Sequence, residues 1–99
     1  MYPRPCGELA FDDLLQGQMV LVFDGRVVEL FTERHGSIAR IHVRQLHHGA
    51  TGPGRKGQYE YTCSPRSTWP GGGFNVTVDG ETWRSLQQLI AEIDAAARQ

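Results

Sequence analysis

The stretch Met19-Val20-Leu21-Val22-Phe23-Asp24-Gly25-Arg26-Val27-Val28-Glu29-Leu30-Phe31 constrains the fold more than any other, because two β-rich runs are broken there by Asp24-Gly25. A type I′ turn needs positive φ at both central residues, which Gly adopts freely and Asp tolerates. The spacing therefore predicts a hairpin with a two-residue loop, in which Phe23 faces Arg26, Leu21 faces Val28 and Met19 faces Leu30. Alternation then gathers Met19, Leu21, Phe23, Val28 and Leu30 on one face, the core face. The opposite face, Val20, Val22, Val27, Glu29 and Phe31, is also mostly apolar, which predicts cover over part of the second side as well.

Downstream, residues 33–36 read as a turn and 37–45 as a third strand, with Ala39, Ile41 and Val43 inward and Arg40, His42 and Arg44 outward. The strand has room to continue through Leu46-His47-His48. Residues 49–57 are rich in glycine and lack an apolar face, so they read as a mobile loop. Alternation resumes over 58–63, with Tyr59, Tyr61 and Cys63 inward. Residues 64–73, punctuated by two prolines and three glycines, read as an irregular connection anchored by Trp69. Phe74, Val76 and Val78 mark a short strand. Trp83, Leu86, Leu89, Ile90, Ile93, Ala96 and Ala97 then fall at steps of three and four, the apolar stripe of a helix over 82–97 capped by Asp79 or Thr82.

Upstream, Pro3 and Pro5 hold residues 1–7 as an extended arm, and Phe11, Leu14 and Leu15 at i, i+3 and i+4 predict a short helical turn over 8–17, ended by Gly17. The domain reading is thus an arm and helical turn over 1–17 followed by a single globular domain over 18–99. At 99 residues the chain is long enough to bury a core without metal or disulfides. Cys6 and Cys63 fit no zinc or redox spacing and are read as reduced thiols, their pairing left open. No apolar run is long enough to span a bilayer and no leader pattern precedes the chain, so the expected location is the cytoplasm.

Charge is segregated along the chain. Between Glu33 and Glu60 there is no acid, while Arg34, Arg40, Arg44, Arg55 and Lys56 and all 4 histidines (His35, His42, His47, His48) lie there. Side chains two apart on a strand project together, and arginine binds carboxylate or phosphate through two parallel hydrogen bonds. Arg40, His42, Arg44, His47, His48, Arg55 and Lys56 are therefore the candidate binding residues for an anionic partner. The competing reading is a solvated strand face with cross-strand pairs to Glu29, Glu33 or Glu60, each of little energetic weight. His47 and His48, as neighbours on a strand, point to opposite faces and no acid of the same segment completes a metal site, so no metal or cofactor is expected. A nucleophilic residue beside a histidine oriented by a carboxylate is not placed together by anything in the sequence. Gly71-Gly72-Gly73 precedes a strand and has no following Lys-Ser/Thr, so it is no phosphate loop. The net charge of −1 and the lack of a basic-aromatic motif argue against nucleic acid.

The element order resembles a bacterial pleckstrin-homology-like domain, on residues 20–31, 38–45, Phe74–Val78 and 83–93, over roughly 18–97 of the chain. The resemblance implies an α+β fold: an antiparallel, strongly bent sheet or partly open barrel of five to seven strands, covered by one C-terminal amphipathic helix. The family has seven strands, and five are plain here, so two are expected in 46–52 and 62–69. Phosphoinositide-binding members use a basic first loop, a position that the acidic Asp24-Gly25 turn would fill, and no head-group residues carry over. The expected function is a non-enzymatic binding or adaptor module that recognises another protein through a strand edge or the basic middle segment. The alternatives are an anionic lipid head-group or other anion binder using the same segment, and a small histidine-dependent enzyme; self-association through sheet edges is a further possibility.

Overall fold

The computed structural model describes residues 7–66 and 73–98. Seven strands and one helix follow one another: β1 (Gly7–Asp13), β2 (Gly17–Phe23), β3 (Val27–Thr32), β4 (Gly36–His42), β5 (Leu46–Thr51), β6 (Tyr59–Pro65), β7 (Phe74–Val78) and α1 (Gly80–Ala97), with 3₁₀ turns at Val43–Gln45 and Arg55–Gly57. Strands β1-β2-β3-β4 form one antiparallel sheet and β5-β6-β7 a second. The two sheets do not close into a barrel, and their inner faces share one core with α1.

The alternation read from the hairpin holds: Met19, Leu21, Phe23, Val28 and Leu30 are all buried. The register does not. Phe23 pairs with Val28, Leu21 with Leu30 and Met19 with Thr32, a shift of two residues from the two-residue loop. The Asp24 carboxylate accepts the N–H groups of Arg26 at 2.9 Å and Val27 at 2.8 Å, which closes a wider turn with Gly25 at φ 98°. A two-residue shift preserves parity, so the error in pairing left the core face intact. The opposite face of Val20, Val22, Val27 and Phe31 is half-buried.

Residues 8–17 form no helical turn. They are strand β1 and a tight turn, with Phe11 buried while Leu14 and Leu15 are 46% and 81% exposed. The buried residue that follows Phe11 in the alternation is Asp13. Its Oδ1 accepts from the backbone N–H of Leu15 at 2.7 Å and Gln16 at 2.9 Å, and its Oδ2 accepts from Thr77 N–H at 2.8 Å, beside the bond from Leu14 N–H to the Thr77 carbonyl at 2.8 Å. A polar residue at an inward position hides a strand from a hydrophobic pattern, and here it clasps β1 to β7 across the two sheets. β1 is an integral strand of the first sheet, paired with β2 from Gly7 to Asp13. The first loop is consequently 14–16, and Asp24-Gly25 is the second.

Of the two strands expected in 46–52 and 62–69, β5 occupies the first span; the remaining strand is β1, while 62–65 belongs to β6. The strand expected over 37–45 ends at His42. The Val43 N–H bonds the Arg26 carbonyl at 2.8 Å and the Arg44 N–H bonds His42 Nδ1 at 3.2 Å, which takes the backbone off the ladder and sends it into the second sheet. The expected 49–57 loop is shorter than its glycines implied, since β5 runs to Thr51 and 55–57 is a 3₁₀ turn. The arm over 1–6 with Cys6, and the Trp69 anchor, lie outside the described residues. The helix forms as its stripe predicts: Asp79 Oδ1 caps it by accepting Thr82 N–H at 2.7 Å, and Leu86, Leu89 and Ile93 are buried. Trp83 is only partly buried, its ring stacked on Tyr59 with centroids 5.2 Å apart.

Candidate functional site

Alternation on β5 turns Leu46, His48 and Ala50 to the helix side and leaves His47 exposed on the other, so the paired histidines are divided as expected. A cleft of about 410 Å³ lies on that side, floored by His48, Gly49, Ala50 and Tyr61. Its far wall is α1, which contributes Trp83, Gln87, Ile90, Ala91 and Asp94. Strand β5, which lines the cleft, pairs with β6 alone among the described strands, so its other edge has no strand partner there.

Inside the cleft three polar groups form a chain. Asp94 Oδ1 lies 2.8 Å from His48 Nε2, and His48 Nδ1 lies 3.1 Å from the Tyr61 hydroxyl. A carboxylate oxygen accepts, so Nε2 carries the hydrogen toward Asp94, while Nδ1 and the Tyr61 hydroxyl share a hydrogen bond whose direction follows the protonation of the ring. Burial raises the Tyr61 phenol far above its ordinary 10.0, with Cys63 and Asp94 adding in the same direction, so the hydroxyl keeps its proton. The aspartate, imidazole and hydroxyl look like a nucleophilic triad only in outline. Tyr61 is 1% exposed, so its hydroxyl, where a triad would present its nucleophile, is closed to a substrate.

The remaining candidates separate. Arg40 stands on β4 opposite Glu29, as the solvated-face reading expects. His42 and Arg44 come together with Arg26, from the β2–β3 turn, around a shallow pocket of about 520 Å³ that also touches Ala96. Arg55 and Lys56 sit in the 3₁₀ turn before β6 of the second sheet and line neither this pocket nor the cleft. Among the described residues no group of three or more His, Cys, Asp or Glu is placed to hold a metal ion.

Sequence reasoning missed Asp94 and Arg26. Asp94 carries one available signal, a carboxylate one residue beyond Ile93 at the margin of the apolar stripe, but its histidine partner lies on a distant strand. What fold and cleft together define is a class: a small two-sheet sandwich with a C-terminal helix, whose topology is broadly compatible with pleckstrin-homology-like folds. Comparisons of the chain with protein-family models, with curated proteins and with solved structures give no match. No helix among the described residues is long and apolar enough to cross a membrane.

Proposed function

We propose that this protein is a non-enzymatic binding module of the bacterial pleckstrin-homology-like kind, which takes an extended segment of a partner protein along the free edge of β5. The observation that carries the reading is the coincidence of an unpaired strand edge with a part-apolar cleft walled by α1. An added strand finds main-chain hydrogen bonds on the edge, and alternate side chains find a pocket, the division of labour by which strand addition combines affinity with specificity. The burial of the Tyr61 hydroxyl supports a binding role over histidine-dependent chemistry.

Amide hydrogen exchange on the protein with a partner captured from its native host tests this. The expected result is new protection within 46–51 and 83–94, lost in Ile90→Glu. Protection confined to 24–27 and 40–44 would overturn it in favour of the anion reading, which rests on the convergence of Arg26, His42 and Arg44. That second reading predicts salt-sensitive binding to phosphatidylserine vesicles that is lost in Arg26→Ala/Arg44→Ala. Protection at sheet edges that depends on protein concentration, with no partner present, would instead mark self-association.

A further inference from the structure

We infer, resting on the strand-edge reading above, that the cleft selects an extended segment carrying an apolar residue with a lysine or arginine two positions away. Ala50, Trp83, Ile90 and Ala91 give the cleft its apolar lining, and the small side chains of Ala50 and Ala91 do little to fill it. The charged half lies where His48 meets Asp94. Among the described residues Asp94 is the one carboxylate lining the cleft and no Lys or Arg lines it, so a cation meets an anionic group there without a competing Lys or Arg. Its Oδ1 is occupied by His48 Nε2, its side chain is 42% exposed, and no hydrogen bond to Oδ2 is found among the described residues. Oδ2 is thus the acceptor left for a ligand.

The spacing follows from two repeats that happen to match. Ile90 and Asp94 are one helical turn apart, about 6 Å along α1. On β5, Ala50 and His48 are two residues apart, and a strand laid beside them places its own same-face side chains roughly 6.5 Å apart. One ligand side chain therefore meets the apolar half, and the next on that face meets Asp94. The basic residue follows the apolar one when the segment runs antiparallel to β5 and precedes it when parallel. A ligand cation also leaves the Asp94–His48–Tyr61 chain unbroken, since it needs only the oxygen that His48 does not use.

Fluorescence polarisation of the full chain tests the inference, with fluorescein-labelled octapeptides of a threonine background. One central position is leucine, and the positions two before and two after it carry lysine, arginine, glutamine or glutamate in turn. At low ionic strength lysine or arginine on one side should bind about tenfold more tightly than glutamate there, the favoured side reporting strand direction. Asp94→Asn keeps an acceptor for His48 and should bring lysine, glutamine and glutamate peptides within about twofold of one another while leaving leucine dependence intact. Leucine-dependent binding that is indifferent to the charged position would overturn the selectivity and leave the strand-edge reading standing. Binding by none of the leucine peptides at millimolar concentration would overturn both. Circular dichroism on Asp94→Asn confirms that the variant compared is folded.

Discussion

Replacing Asp13 by alanine tests how the two sheets are fastened together. The side chain is 3% exposed and its carboxylate accepts three backbone N–H groups, two in its own turn and one from Thr77 on β7. The Leu15 and Gln16 donors lie in an exposed turn and pass to water when the carboxylate is gone, at about 0.5–1 kcal/mol each. The Thr77 donor is part-buried and has no replacement at hand, which adds about 1–2 kcal/mol. The total, about 3 kcal/mol, corresponds to a fall in Tm of roughly 15 °C for a domain of this length. Asp13→Asn separates the contributions, because its amide oxygen serves the turn donors while its amide nitrogen confronts the Thr77 N–H; about half the loss is expected. Urea unfolding followed by tryptophan fluorescence gives both numbers, with the exposed Asp12→Ala as a control expected within about 0.5 kcal/mol of the parent. If Asp13→Asn is as stable as the parent, or Asp12→Ala loses as much as Asp13→Ala, the clasp to β7 is not what holds β1 in place.

Burial pushes the Cys63 thiol from 9.0 up to about 11, so at pH 8 it should resist a disulfide reagent in the native protein and react at once in urea; rapid native labelling would refute its burial. Because the folded value is the higher one, the stability contributed by the neutral thiol is complete below about pH 9 and falls as pH rises from about 9 to 11, measurable as a decline in Tm that Cys63→Ala should lessen. The Thr82 backbone N–H holds the Asp79 carboxyl below its usual 3.8, so its contribution is present above that value and lost as pH falls through the folded one. The Tm gap between the parent and Asp79→Ala should therefore be clear at pH 6 and close near pH 2, and a gap independent of pH would show that the cap is not ionic. Leu86→Ala, at a fully buried position, should cost about 3 kcal/mol, and Trp83→Ala, which unstacks a part-buried ring from Tyr59, about 2 kcal/mol; the reverse order in urea unfolding would place Trp83 at the centre of the core.

Local patterning carried most of the fold. Period-two alternation identified the core faces of β2, β3, β4, β6 and β7, and the three-four spacing identified α1, because burial on one face is imposed residue by residue along the chain. It failed on β1, where the i, i+3, i+4 spacing of Phe11, Leu14 and Leu15 imitates a helix and the inward Asp13 breaks the strand pattern. A carboxylate in that position makes sense only beside Thr77, whose backbone arrives from the other end of the chain. The candidate site was legible only in part. The division of His47 from His48 follows from strand parity, whereas the Arg40–His42–Arg44 stripe breaks where the strand ends at His42, and the cleft needs a helix to be laid beside β5.

The chain by itself therefore determined which side chains face inward, where β7 and α1 lie and which segment is cationic, since these depend on composition and period alone. Tertiary structure decided the rest. It held strand β1 against β7, through Asp13 and Thr77; it paired His48 with Asp94; and it brought Arg26, His42 and Arg44 around one pocket. The physical reason is that a hydrophobic period records whether a residue is buried, but a hydrogen bond or an ion pair depends on which distant group arrives opposite it, and only the packing of the two sheets and the helix brings Asp13 to Thr77 and His48 to Asp94, each at 2.8 Å.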